Sequence, residues 1–208
     1  MQYRRISISG PAVVVAFDMC SSSNIIEELT LSNDIKRLTD FLTSLKRYLA
    51  KAQAHLPFDP YKFTGDGWIL LFPPDTNGIA LLRFLEDLCS FFAKEFRTSV
   101  LRYLDNPPSL VGLTFGIEKG ALIPMTMYGQ PEYIGRAINV ACRLQGAVKD
   151  KGRSPAYNAL VSNRVFTEYF SSAKPFRIDR VRRTLRNINQ GADFRCRRIS
   201  LMRQRHAP

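Results

Sequence analysis

The sequence predicts an α+β fold in which helices cover one face of a mainly antiparallel β-sheet. Short apolar runs of strand length alternate with longer amphipathic stretches of helical length, in the order β-α-α-β-β-α-β-β-α-β with further strands at the end. No internal repeat, low-complexity stretch or linker interrupts this order, so we expect one domain over residues 1–208.

The first quarter of the chain predicts a buried strand followed by helix. Residues 11–18 form a continuous apolar run that ends on a carboxylate, which is typical of a central strand. Ser21–Asn24 then supply helix-capping residues, and Glu27 follows Asn24 at the spacing of a capping box. Farther on, apolar side chains recur on one helical face, at Ile35, Leu38, Phe41, Leu42, Leu45, Tyr48 and Leu49.

A hairpin and a long helix are predicted next. Residues 61–72 have the pattern of strand, tight turn and strand, with Gly65-Asp66-Gly67 at the tip. Residues 79–104 have helical periodicity and are followed by Asn106-Pro107-Pro108, which ends the helix.

The second half of the chain predicts more strands and one further helix. We expect residues 111–117 and 121–128 to form a strand pair around a turn at Lys119-Gly120, and residues 134–148 to form a helix. Apolar residues alternate with arginines between residues 176 and 201, which predicts late strands rather than a disordered basic arm.

The chain is strongly basic, with a net charge of +12. Ten arginines and two aspartates lie between Arg177 and Arg205, so this segment supplies +8 of that charge. Such a segment suits a polyanion, which is a nucleic acid, a membrane surface or a polyphosphate ligand; it is equally compatible with a solvated face.

The apolar pattern also indicates where the protein resides. No apolar run reaches the roughly 18 residues that a membrane span needs, and the first residues lack the apolar region of a secretory signal. The four cysteines are scattered without CxxC spacing, which disfavours a zinc site and a disulfide framework. We therefore expect a soluble, cytoplasmic protein with reduced thiols.

Two carboxylates stand where chemistry can use them. Asp18 ends the predicted central strand just before a serine-rich helix start, and Asp66 lies at the hairpin tip. Taken singly, Asp18 could serve as a helix cap or an arginine partner, and Asp66 could be an ordinary turn residue. Together with a backbone carbonyl and phosphate oxygens they form a suitable shell for Mg²⁺ or Mn²⁺. The helix start adds backbone N–H groups that suit phosphate.

Four blocks of the sequence resemble the class III adenylate/guanylate cyclase catalytic domain, in that family's order. They are Phe17-Asp18-Met19, Lys62-Phe63-Thr64-Gly65-Asp66, Gly116-Ile117-Glu118-Lys119-Gly120, and Gly135-Arg136-Ala137-Ile138-Asn139-Val140-Ala141-Cys142-Arg143. The resemblance covers roughly residues 12–145. It implies a ferredoxin-like core and a reaction in which a nucleoside triphosphate yields a 3′,5′-cyclic nucleotide and pyrophosphate.

The resemblance also implies roles for individual residues. Asp18, the backbone carbonyl of Met19, and Asp66 match the ligands of two divalent metal ions, Mn²⁺ or Mg²⁺. Asn139 matches the residue that orients the ribose, and Arg143 matches the residue that stabilises charge on the α-phosphate. Family sites form between two chains, so the resemblance implies a homodimer with its sites at the interface.

The candidate substrate-binding residues are Lys62, Glu132, Tyr61, Ser21, Ser22, Ser23 and Arg186. By the resemblance, Lys62 and Glu132 match base-contacting positions. Tyr61, Tyr128 and Tyr133 are candidates for narrowing the pocket around a single ring, and the three serines belong to the helix start that suits phosphate. Arg186 matches a triphosphate-binding lysine only loosely, because the family usually has glycine at the position of Asn187.

Within this family the chain is most similar to the pyrimidine cyclases of bacterial Pycsar phage-defence systems. Purine cyclases commonly have an aromatic-Thr pair where this chain has Ser22-Ser23. This similarity implies UTP as substrate and cUMP as product, with CTP and cCMP second, and a separate effector that senses the cyclic nucleotide. The alternatives are a bacterial adenylate or guanylate cyclase, and a non-catalytic nucleic-acid-binding domain that uses the basic C-terminus; the latter leaves Asp18, Asp66, Asn139 and Arg143 unexplained.

Overall fold

The computed structural model describes residues 10–149 and 154–202. Its centre is an eight-stranded sheet in the order β2-β3-β1-β4-β6-β8-β7, with β5 paired to β4 outside this path. All pairings are antiparallel except that of β4 with β6. The strands are β1 (Gly10–Met19), β2 (Asp59–Phe63), β3 (Trp68–Phe72), β4 (Leu113–Met127), β5 (Gln130–Ile134), β6 (Asn158–Ser162), β7 (Arg177–Thr184) and β8 (Asp193–Ser200).

Four longer helices and several short helical segments pack against this sheet. The helices are α1 (Ser22–Leu31), α2 (Ile35–Ala52), α3 (Gly78–Ser99) and α4 (Arg136–Gly146). A short helix, Asn163–Val165, continues as a π-helical turn over Phe166–Phe170, and 3₁₀ turns cover Leu101–Tyr103 and Asn189–Gly191. No helix within the described ranges has the length and apolar character needed to cross a membrane.

The two faces of β1 set the layers of the fold. Val13, Val15 and Phe17 point into the main core, where α1, α2 and α3 cover the sheet. Because successive side chains of a strand alternate between faces, the small residues Ala12 and Ala16 point the other way, toward α4. The predicted ferredoxin-like core with helices on one face is confirmed for the unit from β1 to β4. The structure adds α4 on the opposite face.

Two glycines of β4 let α4 approach the sheet closely. A Cβ at Gly116 would overlap the carbonyl oxygen of Ala141, and a Cβ at Gly120 would lie 3.2 Å from the Cβ of Ala137. The predicted turn at Lys119-Gly120 is therefore wrong. Gly120 makes room for a helix, and β4 continues through it as one strand of 15 residues.

The turn that ends β4 lies farther along the chain. β4 and β5 form a hairpin whose tip is Tyr128-Gly129, and both residues have positive φ angles. The order of elements predicted from the sequence is nevertheless correct, because β4 and β5 replace the two strands expected between residues 111 and 128. The late strands are confirmed as β7 and β8, and the last basic residues, 203–205, lie outside the described part.

Two predicted helix boundaries also differ from the structure. The predicted capping box is wrong, because α1 begins at Ser22 and so places Asn24 inside its first turn. Ser21 occupies the cap position with a left-handed backbone (φ 59°) and no side-chain capping bond. The long helix expected over residues 79–104 ends as an α-helix at Ser99, and a 3₁₀ turn follows it.

Candidate active site

Asp18 lies where β1 leaves the sheet, and the β2–β3 hairpin brings Asp66 to it. The hairpin tip packs directly on the end of β1, since a Cβ at Gly67 would overlap the carbonyl oxygen of Phe17. Gly65 has φ +108°, a left-handed backbone that glycine tolerates. The two glycines therefore make the turn possible and allow the close approach.

The surroundings of Asp18 disfavour its charged form. Burial is the largest of the causes that raise the pKa of Asp18 from its ordinary value of 3.8 to about 8, and a hydrogen bond with Asp66 and its negative charge add to this. A backbone hydrogen bond from Met19 acts in the opposite direction. In addition, Asp18 Oδ1 is buried without a hydrogen-bond partner among the described residues. A buried oxygen of this kind is costly unless something compensates it.

The surroundings of the carboxylates fit a hard divalent cation. A cation would satisfy the buried oxygen of Asp18 and remove the repulsion between Asp18 and Asp66. The side chain of Met19 is only 4% exposed and lies in the core, so this residue can offer a cation only its backbone carbonyl. The described residues hold no group of three or more His, Cys, Asp or Glu side chains placed to bind a metal ion. Any remaining ligands would therefore be backbone, water or substrate oxygens.

The N-terminus of α1 provides an anion-binding element beside Asp18. The first hydrogen bond of this helix runs from the N–H of Ile25 to the carbonyl of Ser21, at 3.1 Å. The N–H groups of Ser22, Ser23 and Asn24 therefore precede the intrahelical hydrogen bonds and suit phosphate oxygens. The hydroxyl of Ser21 donates instead to the carbonyl of Leu110, at 2.8 Å, so this side chain braces the turn.

A second group of the expected residues meets between β2 and β5. Lys62 Nζ lies 3.2 and 3.3 Å from the two carboxylate oxygens of Glu132, and Tyr61 donates its phenolic hydrogen to Oε2 of the same carboxylate. The N–H of Tyr133 donates to the Tyr61 oxygen at 3.1 Å. Burial and the contact with Glu132 raise the pKa of Tyr61 to about 12, so the phenol keeps its proton.

This cluster presents a paired donor and acceptor at the surface. The side chain of Lys62 is 53% exposed and that of Glu132 is 25% exposed, so both can meet a ligand. The hydroxyl of Tyr61 holds the Glu132 carboxylate in place, and the Tyr61 ring packs edge-to-face against the Tyr133 ring. The sequence suggested the three residues one by one; their mutual contact bridges about 70 positions of the chain and carries no local signal.

Asn139 and Arg143 lie one turn apart on the exposed face of α4. The opposite face of the helix packs against the sheet through Ala137, Val140, Ala141 and Leu144. The i, i+4 spacing of Asn139 and Arg143 directs both side chains to the same side. Both side chains are exposed and neither has a hydrogen bond or ion pair among the described residues, so both remain available to a ligand or a second chain.

Arg186 lies on the connection between β7 and β8, apart from the carboxylates. Asn189 of this connection accepts a hydrogen bond from Arg136 at the start of α4, at 3.3 Å. Asn187 has φ 59°, the left-handed conformation in which glycine or asparagine is favoured. The substitution of asparagine for the family's usual glycine is therefore compatible with this backbone.

One neighbour of Asp18 was not anticipated from the sequence. Cys142 of α4 is half-buried, and burial raises the pKa of its thiol; the charge of Arg143 lowers that pKa and the charge of Asp18 raises it. Asp18 and α4 are thus close enough to interact electrostatically within one chain. All four cysteines are free thiols.

The fold is shared with solved cyclase structures. An adenylyl cyclase of Pseudomonas aeruginosa, CyaB, superposes with a TM-score of 0.69 at 14% identity, covering 94% of this chain and 96% of its own. An adenylate cyclase of Trypanosoma brucei gives a TM-score of 0.67 at 13% identity, covering 95% and 91%. The guanylate cyclase domain of RhGC from Catenaria anguillulae, in complex with GTP, gives 0.67 at 12% identity, covering 91% and 96%.

The sequence by itself is distant from characterised proteins. No family model matches the chain, and no curated protein sequence matches it. The superpositions nevertheless span nearly the whole of both chains, so the similarity is not confined to a common core motif. The chain therefore has the fold of the adenylyl and guanylyl cyclase catalytic domains.

Proposed function

We propose that the chain is a nucleotide cyclase, which converts a nucleoside triphosphate into a 3′,5′-cyclic nucleotide and pyrophosphate. The pairing of Asp18 with Asp66 carries this proposal. Two carboxylates in contact, one of them with a buried and unsatisfied oxygen, lie beside the N-terminus of α1 in a chain with a cyclase fold. This arrangement suits a cation that is shared with a triphosphate.

The reaction needs few chemical groups from the protein. The 3′-oxygen attacks the α-phosphorus, the bond to pyrophosphate breaks, and the hydroxyl proton is lost. Two divalent ions, when bound, would lower the pKa of the 3′-hydroxyl and neutralise charge on the leaving group. Asp18, Asp66 and the Met19 carbonyl would hold these ions, and the first N–H groups of α1 would bind phosphate oxygens.

The remaining groups would come from α4. In the proposal the amide of Asn139 orients the ribose by hydrogen bonding, and the guanidinium of Arg143 stabilises the charge that develops on the α-phosphate. Arg186 would bind the outer phosphates. Arginine suits these roles because its planar donors match phosphate oxygens in pairs.

A homodimer with sites at its interface is part of the proposal. The β4–β5 hairpin and its surroundings expose large apolar side chains that nothing in the described chain covers: Ile123 (65%), Met127 (49%), Tyr128 (100%) and Ile134 (57%). A contiguous exposed apolar surface of this kind is typical of an association surface. We propose that a second copy covers it, and that the carboxylates of one chain face Asn139 and Arg143 of the other.

Complementation tests this arrangement directly. Asp18→Ala and Arg143→Ala proteins, each inactive alone, would form heterodimers with one complete site when mixed. We expect activity to return to at least a quarter of the wild-type level per heterodimer. If heterodimers form, as shown by native mass spectrometry, and no activity returns, the groups act within one chain.

The Lys62–Glu132 pair favours uracil among the pyrimidines. When Lys62 faces the C4 side of the base, uracil offers its O4 acceptor to Lys62 and its N3–H donor to Glu132, so the two patterns match. Cytosine presents an amino donor beside a ring acceptor, which is the reverse order. An unmatched buried polar group costs roughly 1–3 kcal/mol, so this pairing discriminates better than size does. We therefore propose UTP as the preferred substrate, with CTP second.

Guanine supports a second candidate function from the same observation. Its O6 acceptor and N1–H donor repeat the pattern of uracil, so the Lys62–Glu132 pair also fits GTP, and a guanylate cyclase is the alternative. Discrimination between the single ring of uracil and the double ring of guanine would depend on the free space beside Tyr61 and Tyr133. Adenine presents the reverse pattern and fits less well.

The test is a competition among the four nucleoside triphosphates at equal concentration with Mn²⁺, with the cyclic products separated by chromatography. We expect cUMP to predominate. Predominant cGMP would replace the pyrimidine assignment and keep the cyclase assignment. No cyclic product, from folded dimeric protein, would contradict both. Asp66→Ala should abolish product, whereas Asp75→Ala, an exposed carboxylate in the loop after β3, should not.

The biological role is proposed from the sequence resemblance alone. A pyrimidine cyclase of this kind would produce a second messenger in bacterial phage defence, and a separate effector would sense it.

A further inference from the structure

The arginines of β7 and β8 divide into two sets with different surroundings. On the face that carries α4, Arg183 donates from Nε to the carbonyl of Ala147 at 2.9 Å, and Arg198 is 3% exposed and donates to the carbonyl of Ser154 at 2.9 Å. Arg177, on the same face, has an ion pair with Asp179 at 3.6 Å, so all three of these arginines have partners within the chain. The four on the other face are Arg180, Arg182, Arg195 and Arg197, which we call the arginine square.

The arginine square consists of two successive cross-strand pairs. Arg180 lies directly opposite Arg197, and Arg182 lies directly opposite Arg195. Opposed residues are about 5 Å apart, and successive pairs on one face are about 7 Å apart. Like charges in opposed positions destabilise a sheet, and here two such pairs are adjacent. An anion bound between these four side chains would offset their repulsion.

Partners within the chain compensate the square only in part. Arg182 has an ion pair with Asp193, at 3.6 Å, in which both side chains are more than 60% exposed, so the pair contributes little. Arg180 and Arg195 are exposed and have no acidic or carbonyl partner among the described residues. Asp193 is therefore the single carboxylate that the described chain brings to the square.

Arg197 is held in position for a ligand. Its Nε donates to the side-chain oxygen of Asn163 at 3.0 Å, and its guanidinium lies 5.1 Å from the ring centre of Phe166. These contacts fix the group and do not use its terminal nitrogens. A donor that is already ordered loses less entropy when it binds an anion.

A groove runs between these side chains. It has a volume of about 500 Å³ and is lined by the square together with Asn163, Val181 and Cys196. That volume is within the range of small-molecule sites. The groove is separate from the proposed active site, none of whose residues line it.

The limits of the square indicate a compact ligand. Along the strands, the next pair on this face is Ile178 with Ile199, which belongs to the core, and the pair at the other end is Thr184 with Asp193. Along the strands the positive surface therefore stops in both directions, which disfavours a polymer backbone that follows them. One phosphate group carries a charge of roughly −2 at most, so four arginines require at least two linked phosphates.

We propose that the arginine square is a binding site for a compact oligophosphate, which is a ligand with two or more linked phosphate groups. It is distinct from the substrate site and does not depend on the proposed function. Paired guanidinium donors would bind the phosphate oxygens, and binding would relieve the repulsion within both cross-strand pairs. The ligand class covers inorganic polyphosphate and the polyphosphate group of a nucleotide.

The experiment is calorimetric titration with inorganic tripolyphosphate, in EDTA and about 150 mM salt, using Arg186→Ala protein so that phosphate binding at the candidate active site is weakened. The test variant is Arg180→Ala/Arg195→Ala. The matched control is Lys36→Ala/Arg47→Ala, which removes two exposed charges from α2. We expect the parent and the control to bind alike, and the test variant to bind at least tenfold more weakly. Affinity within threefold of the parent would overturn the proposal.

Further probes separate the possible ligands. Inorganic phosphate should bind at least tenfold more weakly than tripolyphosphate. If a 12-nucleotide RNA or a phosphatidylserine vesicle binds through these arginines and tripolyphosphate does not, the surface serves a polymer or a membrane and the proposal is wrong.

Two controls address folding and catalysis. Without ligand at low ionic strength, the test variant should melt at the parent's temperature or higher, because it removes a repulsion. A decrease of more than about 3 °C would assign the arginines a structural role and contradict the proposal. Placed in the otherwise wild-type chain, the same double substitution should leave cyclase activity unchanged when tripolyphosphate is absent. Failure of the proposed cyclase function and failure of the proposed oligophosphate site can therefore be told apart.

Discussion

Replacing Asp18 with asparagine should stabilise the metal-free protein. Raising a carboxyl pKa from 3.8 to about 8 means that the folded state keeps a proton that the unfolded state releases between these pH values. Stability is therefore lost as the pH rises through this range, and the full cost of ionised Asp18 is present above pH 8. Asparagine has nearly the same shape and carries no charge, so it removes this cost.

The size of the effect follows from the pKa. At about 1.4 kcal/mol per pKa unit, the full change corresponds to roughly 5–6 kcal/mol. Asp18 is only partly buried, and solvent screening reduces this figure, so we retain about one third, which is ~2 kcal/mol. For a protein of this length such a difference raises Tm by roughly 4–8 °C.

Thermal unfolding in EDTA provides the measurement. At about pH 8.5 we expect Asp18→Asn to melt above wild type, and at about pH 5 the gap should narrow because folded wild type is protonated. Asp40→Asn, an exposed carboxylate on α2, should show no such pH-dependent gap. Mn²⁺ should raise the Tm of wild type and not that of Asp18→Asn. An Asp18→Asn protein that melts at or below wild type at pH 8.5 would refute the reasoning.

Two further substitutions test the geometry around the site. Gly67→Ala should displace the hairpin tip, since its Cβ would overlap the Phe17 carbonyl. We expect denaturant titration to show a loss of roughly 2 kcal/mol in the free energy of unfolding. The control is Gly146→Ala, whose Cβ would meet open space and should cause no loss. Tyr61→Phe should release Glu132 and lower the ratio of kcat/KM for UTP over CTP about fivefold, which corresponds to ~1 kcal/mol; an unchanged ratio would separate Glu132 from base selection.

Much of the core was predictable from the sequence because its signals are local. The apolar run that ends at Asp18 is a strand whatever it packs against, and the Gly65-Asp66-Gly67 tip is a turn because few other sequences tolerate that backbone. The helical face of α2 likewise follows from periodicity. These signals place each carboxylate within its own element, whereas the packing of the hairpin tip on the end of β1 is a tertiary contact.

The features that the sequence did not predict correctly depend on contacts between residues far apart in the chain. Gly120 has the local signature of a turn, yet it lies inside β4 because α4 needs the space above it. Ser21 has the signature of a helix cap, yet its hydroxyl bonds to Leu110, 89 positions away. The Tyr61–Glu132 contact joins β2 to β5, and nothing near either residue predicts it. Tertiary packing decides each of these cases.

Two clusters of like charge in the described part of the chain have opposite signs. Asp18 faces Asp66 at the end of β1, and Arg180 and Arg182 face Arg197 and Arg195 on the outer strands. Each arrangement costs stability in the free protein, so neither is explained by folding alone. A cation would relieve the first and a polyanion the second. Since the ligand that relieves each repulsion stabilises the folded state, a divalent cation should raise Tm through the carboxylates, and a polyanion should raise it through the arginines.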